Sequence, residues 1–136
     1  MSAAIQAQVL EANRRFYAAF EALDLDAMEA VWERSSRAAC LHPGGAWLIG
    51  WEEVRRGWEM IVDATSYIEV EVTGVDAWVE DPLGWVTCVE RVRGPDGQVA
   101  EVAATNIYFL GTDGWRLILH HASPVIRAGA FGAEPA

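Results

Sequence analysis

Three polar residues in apolar surroundings have side chains that can move a proton or hold a carbonyl group. His42 ends a short apolar run directly before Pro43, and Asn106 and His120 each interrupt a mostly apolar segment. An imidazole titrates near neutral pH and can act as a general base. An amide both donates and accepts hydrogen bonds. These residue types predict a catalytic set in which His42 is the base and Asn106 and His120 place a developing oxyanion.

Each member of this set also has a structural interpretation. His42 could hydrogen-bond a backbone carbonyl at the end of a strand, and Asn106 could hold His120 instead of a ligand. His121 must face away from His120, because side chains alternate along a strand, so we expect it at an interface or on the surface. From the residues alone, catalytic and structural roles both stay open.

A second group of side chains is predicted to line the same pocket. Glu90 lies on an apolar strand, where it is either a pocket acid with a raised pKa or the partner of an arginine such as Arg91 or Arg93. Tyr108 is a pocket hydroxyl or ordinary strand packing, and Trp58 is an apolar wall or part of the core. The predicted ligand-binding residues of this group are Trp58, Cys88, Glu90 and Tyr108.

The residues lack the spacing of a metal site or of a cofactor-binding loop. The chain has three histidines, and the neighbours His120 and His121 cannot converge on one ion from a regular strand. It contains no Cys-x-x-Cys pair, no helical His-x-x-x-His, no phosphate-binding glycine loop and no Gly-x-Ser-x-Gly elbow. We therefore predict no metal and no cofactor.

Composition restricts the partners and the compartment. The chain has 136 residues, of which 52% are hydrophobic and seven are Trp, and its net charge is −10. This length suits one domain with a sizeable core, and the negative charge argues against nucleic acid and anionic membranes as partners. No transmembrane run or secretion signal is recognisable. Cys40 and Cys88 have apolar neighbours, so we predict buried free thiols, with a disulfide as the alternative, in a cytoplasmic protein.

Hydrophobic periodicity predicts three helices in the first half of the chain. Apolar residues at steps of three and four indicate a helix over 3–22. Asp24 or Asp26 can cap a second helix that reaches about Arg34, because a short carboxylate accepts the free amides of the first turn. Gly50 opens the third helix.

The second half alternates with a period of two, which predicts strands. A one-residue phase slip at Gly74 indicates a β-bulge, and Asp81–Gly84 is predicted to turn the chain. The order is typical of an α+β domain, which we assign to residues 1–123, with 124–136 as an Ala/Gly-rich tail whose Val125, Ile126 and Phe131 could pack on a partner. The predicted strands are 37–42, 46–49, 67–79, 85–93, 98–110 and 115–122.

The last two hairpins each turn at Asp-Gly, which favours three-residue loops and places residues of like parity on one face. Both faces are then mostly apolar. One face is predicted to cover the helices, and the other to meet a second copy in a homodimer, because so large an exposed apolar patch is rare on a monomer. The predicted inner face holds Cys88, Glu90, Ala104, Asn106, Tyr108, Ile118, His120 and Ala122, and the outer face Thr105, Ile107, Phe109, Leu117, Leu119 and His121.

These features resemble the nuclear transport factor 2-like superfamily, also called the SnoaL-like or cystatin-like cone fold. The resemblance covers roughly residues 5–123 and implies a strongly bent mixed or antiparallel sheet wrapped around the N-terminal helices. The last of its segments is also similar to the end of the calcium/calmodulin-dependent kinase II association domain. The segments that carry the resemblance are Phe16–Phe20 with Leu23–Asp26, His42-Pro43, Gly50 before the third helix, and Asp113–Ser123.

The ketosteroid isomerases of this superfamily give the sharpest expectations for the site. Their base is an Asp before a Pro, where this chain has His42. Their oxyanion Tyr corresponds to Phe16, with Tyr17 beside it, and their oxyanion Asp falls near Thr105 or Asn106. The resemblance therefore implies a pocket whose polar chemistry differs from steroid isomerisation, with Tyr17 among its ligand-binding residues.

We expect a protein that binds a small apolar or weakly polar molecule and catalyses proton transfer of the isomerase, dehydratase or cyclase type through His42. The alternative is a non-catalytic binding or assembly module like the kinase association domain. The interior of the cone distinguishes these two hypotheses. Convergence of His42, Asn106 and His120 favours an enzyme, whereas filling of the cone by Trp side chains favours an assembly module.

Overall fold

The computed structural model describes residues 2–126, and the remaining positions, including Phe131 of the predicted tail, lie outside this range. Helices and strands follow one another in the predicted order. The helices are α1 (Ala3–Ala22), α2 (Leu25–Val31) and α3 (Trp51–Ala64), and the strands are β1 (Ala39–Leu41), β2 (Leu48–Ile49), β3 (Glu69–Glu80), β4 (Leu83–Arg93), β5 (Val99–Gly111) and β6 (Gly114–Pro124).

The helix ends follow local capping chemistry. The Ser2 side chain accepts a hydrogen bond from the Ile5 amide at the start of α1, and the Asp24 carboxylate accepts one from Ala27 at the start of α2. The prediction that α2 reaches about Arg34 is wrong. Trp32 leaves the helix in an extended conformation and forms a bridge with Leu117, so its buried side chain joins the core.

The six strands form one mixed sheet in the order β2-β1-β6-β5-β4-β3. Every pair is antiparallel except β1 with β6. The predicted bulge in β3 is confirmed, because the register with β4 shifts between Thr73 and Asp76, and Gly74 there has φ of 60°. The predicted turn at Asp81–Gly84 is shorter, since β4 already begins at Leu83.

The sheet curves around α1, as the predicted α+β cone requires. The hydrophobic part of the core includes large aromatic side chains, and it contains Val9, Phe16, Met28, Trp32, Trp58, Val86 and Leu117. No helix within residues 2–126 is long and apolar enough to cross a membrane.

The hairpin of β5 and β6 contains a bulge that was not predicted from the sequence. Tyr108 pairs with Leu117, whereas Ile107 pairs with Leu119, so Ile118 is an extra residue on β6. The predicted faces of Leu117 and Ile118 are therefore wrong: Leu117 is buried in the core and Ile118 is only half-buried. Beyond the bulge the predicted parity is restored.

Candidate functional site

A buried cluster of polar side chains lies between α1 and the concave face of the sheet. Strand alternation brings alternate residues of β4, β5 and β6 to this face, and two successive turns of α1 add an amide and a phenol. All seven side chains are at most 5% exposed. We call them the interior network: Asn13, Tyr17, Cys88, Glu90, Asn106, Tyr108 and His120.

Asn106 is the centre of the interior network. Its Oδ1 lies 2.6 Å from His120 Nδ1, and its Nδ2 donates to Asn13 Oδ1 and to the Tyr17 hydroxyl, each at 3.0 Å. Because an amide oxygen only accepts, His120 carries its proton on Nδ1 and leaves Nε2 free to accept. Both N–H donors of Asn106 are engaged, so its geometry is that of a group that orients His120.

Glu90 is held by a phenol instead of an arginine. The Tyr17 hydroxyl donates to Glu90 Oε2 at 2.6 Å and lies 3.3 Å from Cys88 Sγ. Of the arginines proposed as partners, Arg93 pairs with Glu69 at 3.2 Å. Burial raises the pKa of Glu90, and the Tyr17 hydrogen bond opposes this shift. The carboxyl therefore tends toward its neutral, protonated form.

Two imidazoles meet beside this carboxyl. His120 Nε2 lies 3.9 Å from Glu90 Oε2, and the ring centroids of His42 and His120 are 6.2 Å apart. Burial lowers the pKa of His42 to about 4. Burial, with smaller contributions from His42 and His121, lowers the pKa of His120 to about 3. Both imidazoles are consequently uncharged near neutral pH.

His42 is the member of this pair that stays within reach of solvent. It is half-buried just after β1, with Nε2 3.5 Å from Cys40 Sγ. Its ring packs edge-on against Trp58, with the centroids 4.7 Å apart. An uncharged imidazole at the rim can take a proton from a bound molecule, and this one lies beside the buried ring of His120.

Trp58 packs against both imidazole rings, with its ring centroid 4.7 Å from that of His42 and 5.9 Å from that of His120. It is 1% exposed and packs against Phe16 and Phe20, with centroids 5.6 Å and 5.1 Å away. The indole nitrogens of Trp58 and Trp32 are buried without a hydrogen-bond partner among residues 2–126. Two features were expected to distinguish an enzyme from an assembly module: convergence of the imidazoles and filling of the cone by tryptophans. Both occur in this structure.

Comparison with known proteins identifies the family of this fold and site. The SnoaL-like domain model matches residues 9–127. The chain belongs to the SnoaL-like domain family.

Two solved structures and one curated protein are similar to this SnoaL-like chain. A candidate NTF2-like dehydratase from Streptomyces avermitilis is 33% identical, with a TM-score of 0.84 over 91% of this chain and 98% of that one. A candidate calcium/calmodulin-dependent protein kinase type II association domain from Thiobacillus denitrificans is 38% identical, with a TM-score of 0.79 over 85% and 93%. F-box protein SKIP8 of Arabidopsis thaliana is 23% identical over 118 residues, or 87% of this chain, which spans about half of that protein's length.

The structure of this SnoaL-like domain brings together all eight predicted site residues. His42, Asn106, His120, Tyr17, Trp58, Cys88, Glu90 and Tyr108 all lie in or against the interior network. His121 faces outward and is exposed, with its ring 5.2 Å from that of Trp47. Burial raises the pKa of Cys88 to about 11, so its sulfur stays a thiol. Cys40 and Cys88 are free and buried, as predicted.

Asn13 is the member of the network that sequence reasoning missed. Its Oδ1 accepts from Tyr108 at 2.8 Å as well as from Asn106. The available signal was an amide four residues from both Val9 and Tyr17, on the face of α1 that the apolar periodicity assigns to the core. Within residues 2–126, no group of three or more His, Cys, Asp or Glu side chains could hold a metal ion.

Proposed function

We propose that this SnoaL-like domain binds a small apolar or weakly polar carbonyl compound and catalyses proton transfer, with His42 as the general base. The observation that carries the proposal is the uncharged, half-buried His42 ring next to His120, whose orientation Asn106 fixes. A general base must be unprotonated at working pH and accessible to the substrate, and the His42 ring meets both conditions.

The remaining groups support this chemistry in distinct ways. His42 takes a proton from the carbon next to the carbonyl, and the electron pair moves onto the oxygen as an enolate. We assign the oxyanion donor to the indole N–H of Trp58, because it has no partner among residues 2–126 and its ring packs against His42. Asn106 acts as a positioning residue for His120. Return of the proton to another carbon completes an isomerisation, and its transfer to a departing hydroxide completes a dehydration.

The similarity to the Streptomyces avermitilis protein supports the dehydratase variant of this proposal, because the identity of 33% extends over nearly the whole domain. Two buried free thiols, Cys40 and Cys88, support a cytoplasmic location.

The experiment is hydrogen–deuterium exchange on small ketones. The protein is incubated in D2O with cyclic and open-chain ketones and β-hydroxyketones, and loss of the proton signals next to the carbonyl, or formation of an enone, is followed by NMR. We expect catalysis that His42→Gln abolishes. His121→Gln is the matched control, since that imidazole lies on the opposite face of the sheet. Equal rates for wild type and His42→Gln across the series would refute the proposal.

A specific feature of the convex face supports a second function, self-assembly. Cross-strand pairing aligns one apolar side chain from each strand in a continuous row across the whole sheet. Its two ends are 57% and 55% exposed. We call this the outer row: Trp78, Trp85, Ile107, Leu119, Ala39 and Ile49.

We infer that the outer row packs against the same row of a second copy, in a homodimer or a larger assembly. An apolar surface of this extent is unusual on a monomer, and the Thiobacillus denitrificans protein that is 38% identical is described as a kinase association domain. Analytical ultracentrifugation at micromolar concentration tests this. We expect a dimer or a larger species, and a monomer throughout would refute assembly without affecting the catalytic proposal.

A further inference from the structure

A groove of about 490 Å3 lies between α1 and β3, away from His42 and Trp58. At each end of the groove, a hydrogen bond joins α1 to β3. Gln6 Nε2 donates to the Ala77 carbonyl at 3.0 Å, and the Val70 amide donates to Glu21 Oε2 at 2.8 Å. Gln6 and Glu21 are fifteen positions apart on α1, which corresponds to roughly 22 Å of helix. The groove is therefore a slot that is held at both ends.

The bulge in β3 shapes this slot. Around Gly74 the strand loses its regular register with β4, which bends it at mid-length. Val75 directly follows the bend and is 40% exposed, and Leu10 opposite it on α1 is 37% exposed. With Ala18, Val70 and Val72, these residues give the slot apolar walls.

The floor of the slot is polar and incompletely paired. Asn13 and Tyr17 line it, and both are at most 5% exposed. Asn13 Oδ1 already accepts two hydrogen bonds, from Asn106 and from Tyr108. Its Nδ2 donates to no group among residues 2–126, although each of its two N–H bonds can do so. Asn13 Nδ2 is not one of the fully enclosed polar atoms of residues 2–126, so an acceptor in the slot can reach it.

We propose that this slot is a binding site for an uncharged carbonyl compound with an aliphatic body, whose oxygen accepts from Asn13 Nδ2. The volume falls in the range of small-molecule sites, and the apolar walls suit a hydrocarbon chain. An anion is disfavoured by Glu21 at the rim and by the net charge of −10. Arg14 does not offset this, because Glu11 holds its guanidinium at 2.7 and 2.8 Å.

This site goes beyond the proposed catalytic function and does not depend on it. The slot residues touch the interior network at Asn13 and Tyr17, whereas His42 lies at the other side of that network, against Trp58. Binding in the slot and proton transfer at His42 are thus separable by mutation.

The experiment titrates 2-heptanone into the 15N-labelled chain of 136 residues and follows its NMR spectrum. We expect saturable shifts of the Asn13 side-chain amide and of the Val72 and Val75 backbone amides, with a Kd on the order of 1 mM for so small a ligand. Val75→Glu should weaken binding by about tenfold or more, because a hydrated carboxylate then replaces part of the apolar wall.

Matched variants decide the outcome. Val99→Glu makes the same change at a valine of the same exposure, 39%, outside the slot, and should bind like wild type. Leu10→Glu and Ile5→Glu give a second such pair on α1, at 37% and 36%. Binding should survive His42→Gln, even if that variant loses proton exchange. Equal affinity of the slot and control variants, shifts confined to the surroundings of His42, or no saturable shift up to about 20 mM would each overturn the proposal.

Discussion

The two faces of the sheet invert the usual distribution of side chains. On the concave face, Glu90, Asn106 and His120 are almost completely buried. On the convex face, Trp78 and Ile49 are more than half exposed. Burying polar groups is unfavourable unless they are paired, and exposing a broad apolar surface is unfavourable unless it is covered. The concave face pairs its polar groups in the interior network, whereas the exposed apolar side chains of the convex face are the reason for proposing self-assembly.

Strand geometry makes the two faces interdependent. Because successive side chains alternate, a shift of one residue in the register would exchange the faces and expose the polar groups. The bulge at Ile118 performs such an exchange locally. It brings Leu117 inward near the turn and still leaves His120 opposite Asn106 further along. The inner face is therefore specified by register as well as by composition.

The largest expected effect on stability comes from a substitution on the concave face. Asn106→Leu removes the amide that joins His120, Asn13 and Tyr17, and leaves buried polar atoms without partners. Each such atom costs about 1–3 kcal/mol, so we expect a loss of about 4 kcal/mol in unfolding free energy and a fall of about 15 °C in Tm. Urea and thermal unfolding measure both quantities.

The control is the neighbouring residue on the other face. Thr105→Val keeps the strand and changes a half-buried convex side chain, so we expect a change below about 0.5 kcal/mol. If Asn106→Leu were as stable as Thr105→Val, the interior network would contribute nothing to the fold, and the contrast between the faces would be wrong.

The next largest effect concerns the convex face. Ile107→Lys places a charge at the centre of the outer row, where two copies would pack against each other. We expect self-association to weaken about 100-fold, with the monomer remaining folded. Ultracentrifugation reports the association and circular dichroism the fold. Ala103→Lys, at an exposed position on the same strand beyond the row, should assemble like wild type; equal association of both variants would remove the outer row from the interface.

How far the sequence predicts the contrast between the two faces depends on whether a feature has a local signal in the sequence. The pairing of Asn106 with His120 and the bulge at Gly74 follow from period-two alternation and from glycine, which are local signals. The bulge at Ile118 has no such marker, since it occurs in an unbroken apolar run. The early end of α2 was missed because the tertiary contact of Trp32 with Leu117 overrides helix periodicity.

Most members of the site were predictable from the sequence, but Asn13 and the hydrogen bonds between the members were not. Polar residues on apolar strands are conspicuous, which is why His42, Glu90 and Asn106 could be named. Which hydrogen bonds they form depends on the depth at which α1 lies in the cone, and a single sequence does not encode that distance in any pattern. Asn13 and the partnership of Glu90 with Tyr17 belong to this class.

A third prediction uses acid to test the concave face. The folded pKa values of His42 and His120 lie near 4 and 3, below the ordinary value of 6.5. At a pH between the folded pKa and 6.5, the unfolded chain binds more protons than the folded chain. The free energy of unfolding therefore falls as the pH drops below about 6.5. The raised pKa of Glu90 acts in the opposite sense, since its contribution is present at low pH and is lost as the pH rises through the folded pKa.

Each imidazole contributes about 2 kcal/mol to the stability lost between pH 7 and pH 5. Urea unfolding of His42→Gln at the two pH values should therefore show a smaller loss than wild type by about that amount. Glu90→Gln, which removes the opposing group, should show a larger loss than wild type. An identical pH dependence for wild type and His42→Gln would mean that His42 titrates normally, and that the rim of the cone is as wet as the convex face.

The smallest expected change in stability lies at the rim, where the two faces meet. A Cβ on Gly57 of α3 would come 2.5 Å from Leu48 Cδ1 and 3.4 Å from His42 Nε2. In Gly57→Ala the Leu48 methyl can turn aside, and the gain in helix propensity of up to about 1 kcal/mol offsets the crowding. We expect Tm to move by less than about 3 °C, while proton exchange through His42 slows because Leu48 is pushed along that ring.

Gly84→Ala is the control variant. Its Cβ would meet the buried Val9 at 2.7 and 3.2 Å, where nothing can turn aside, so it should lower Tm without affecting His42. If Gly57→Ala left proton exchange unchanged, the close approach of α3 to His42 would serve packing only.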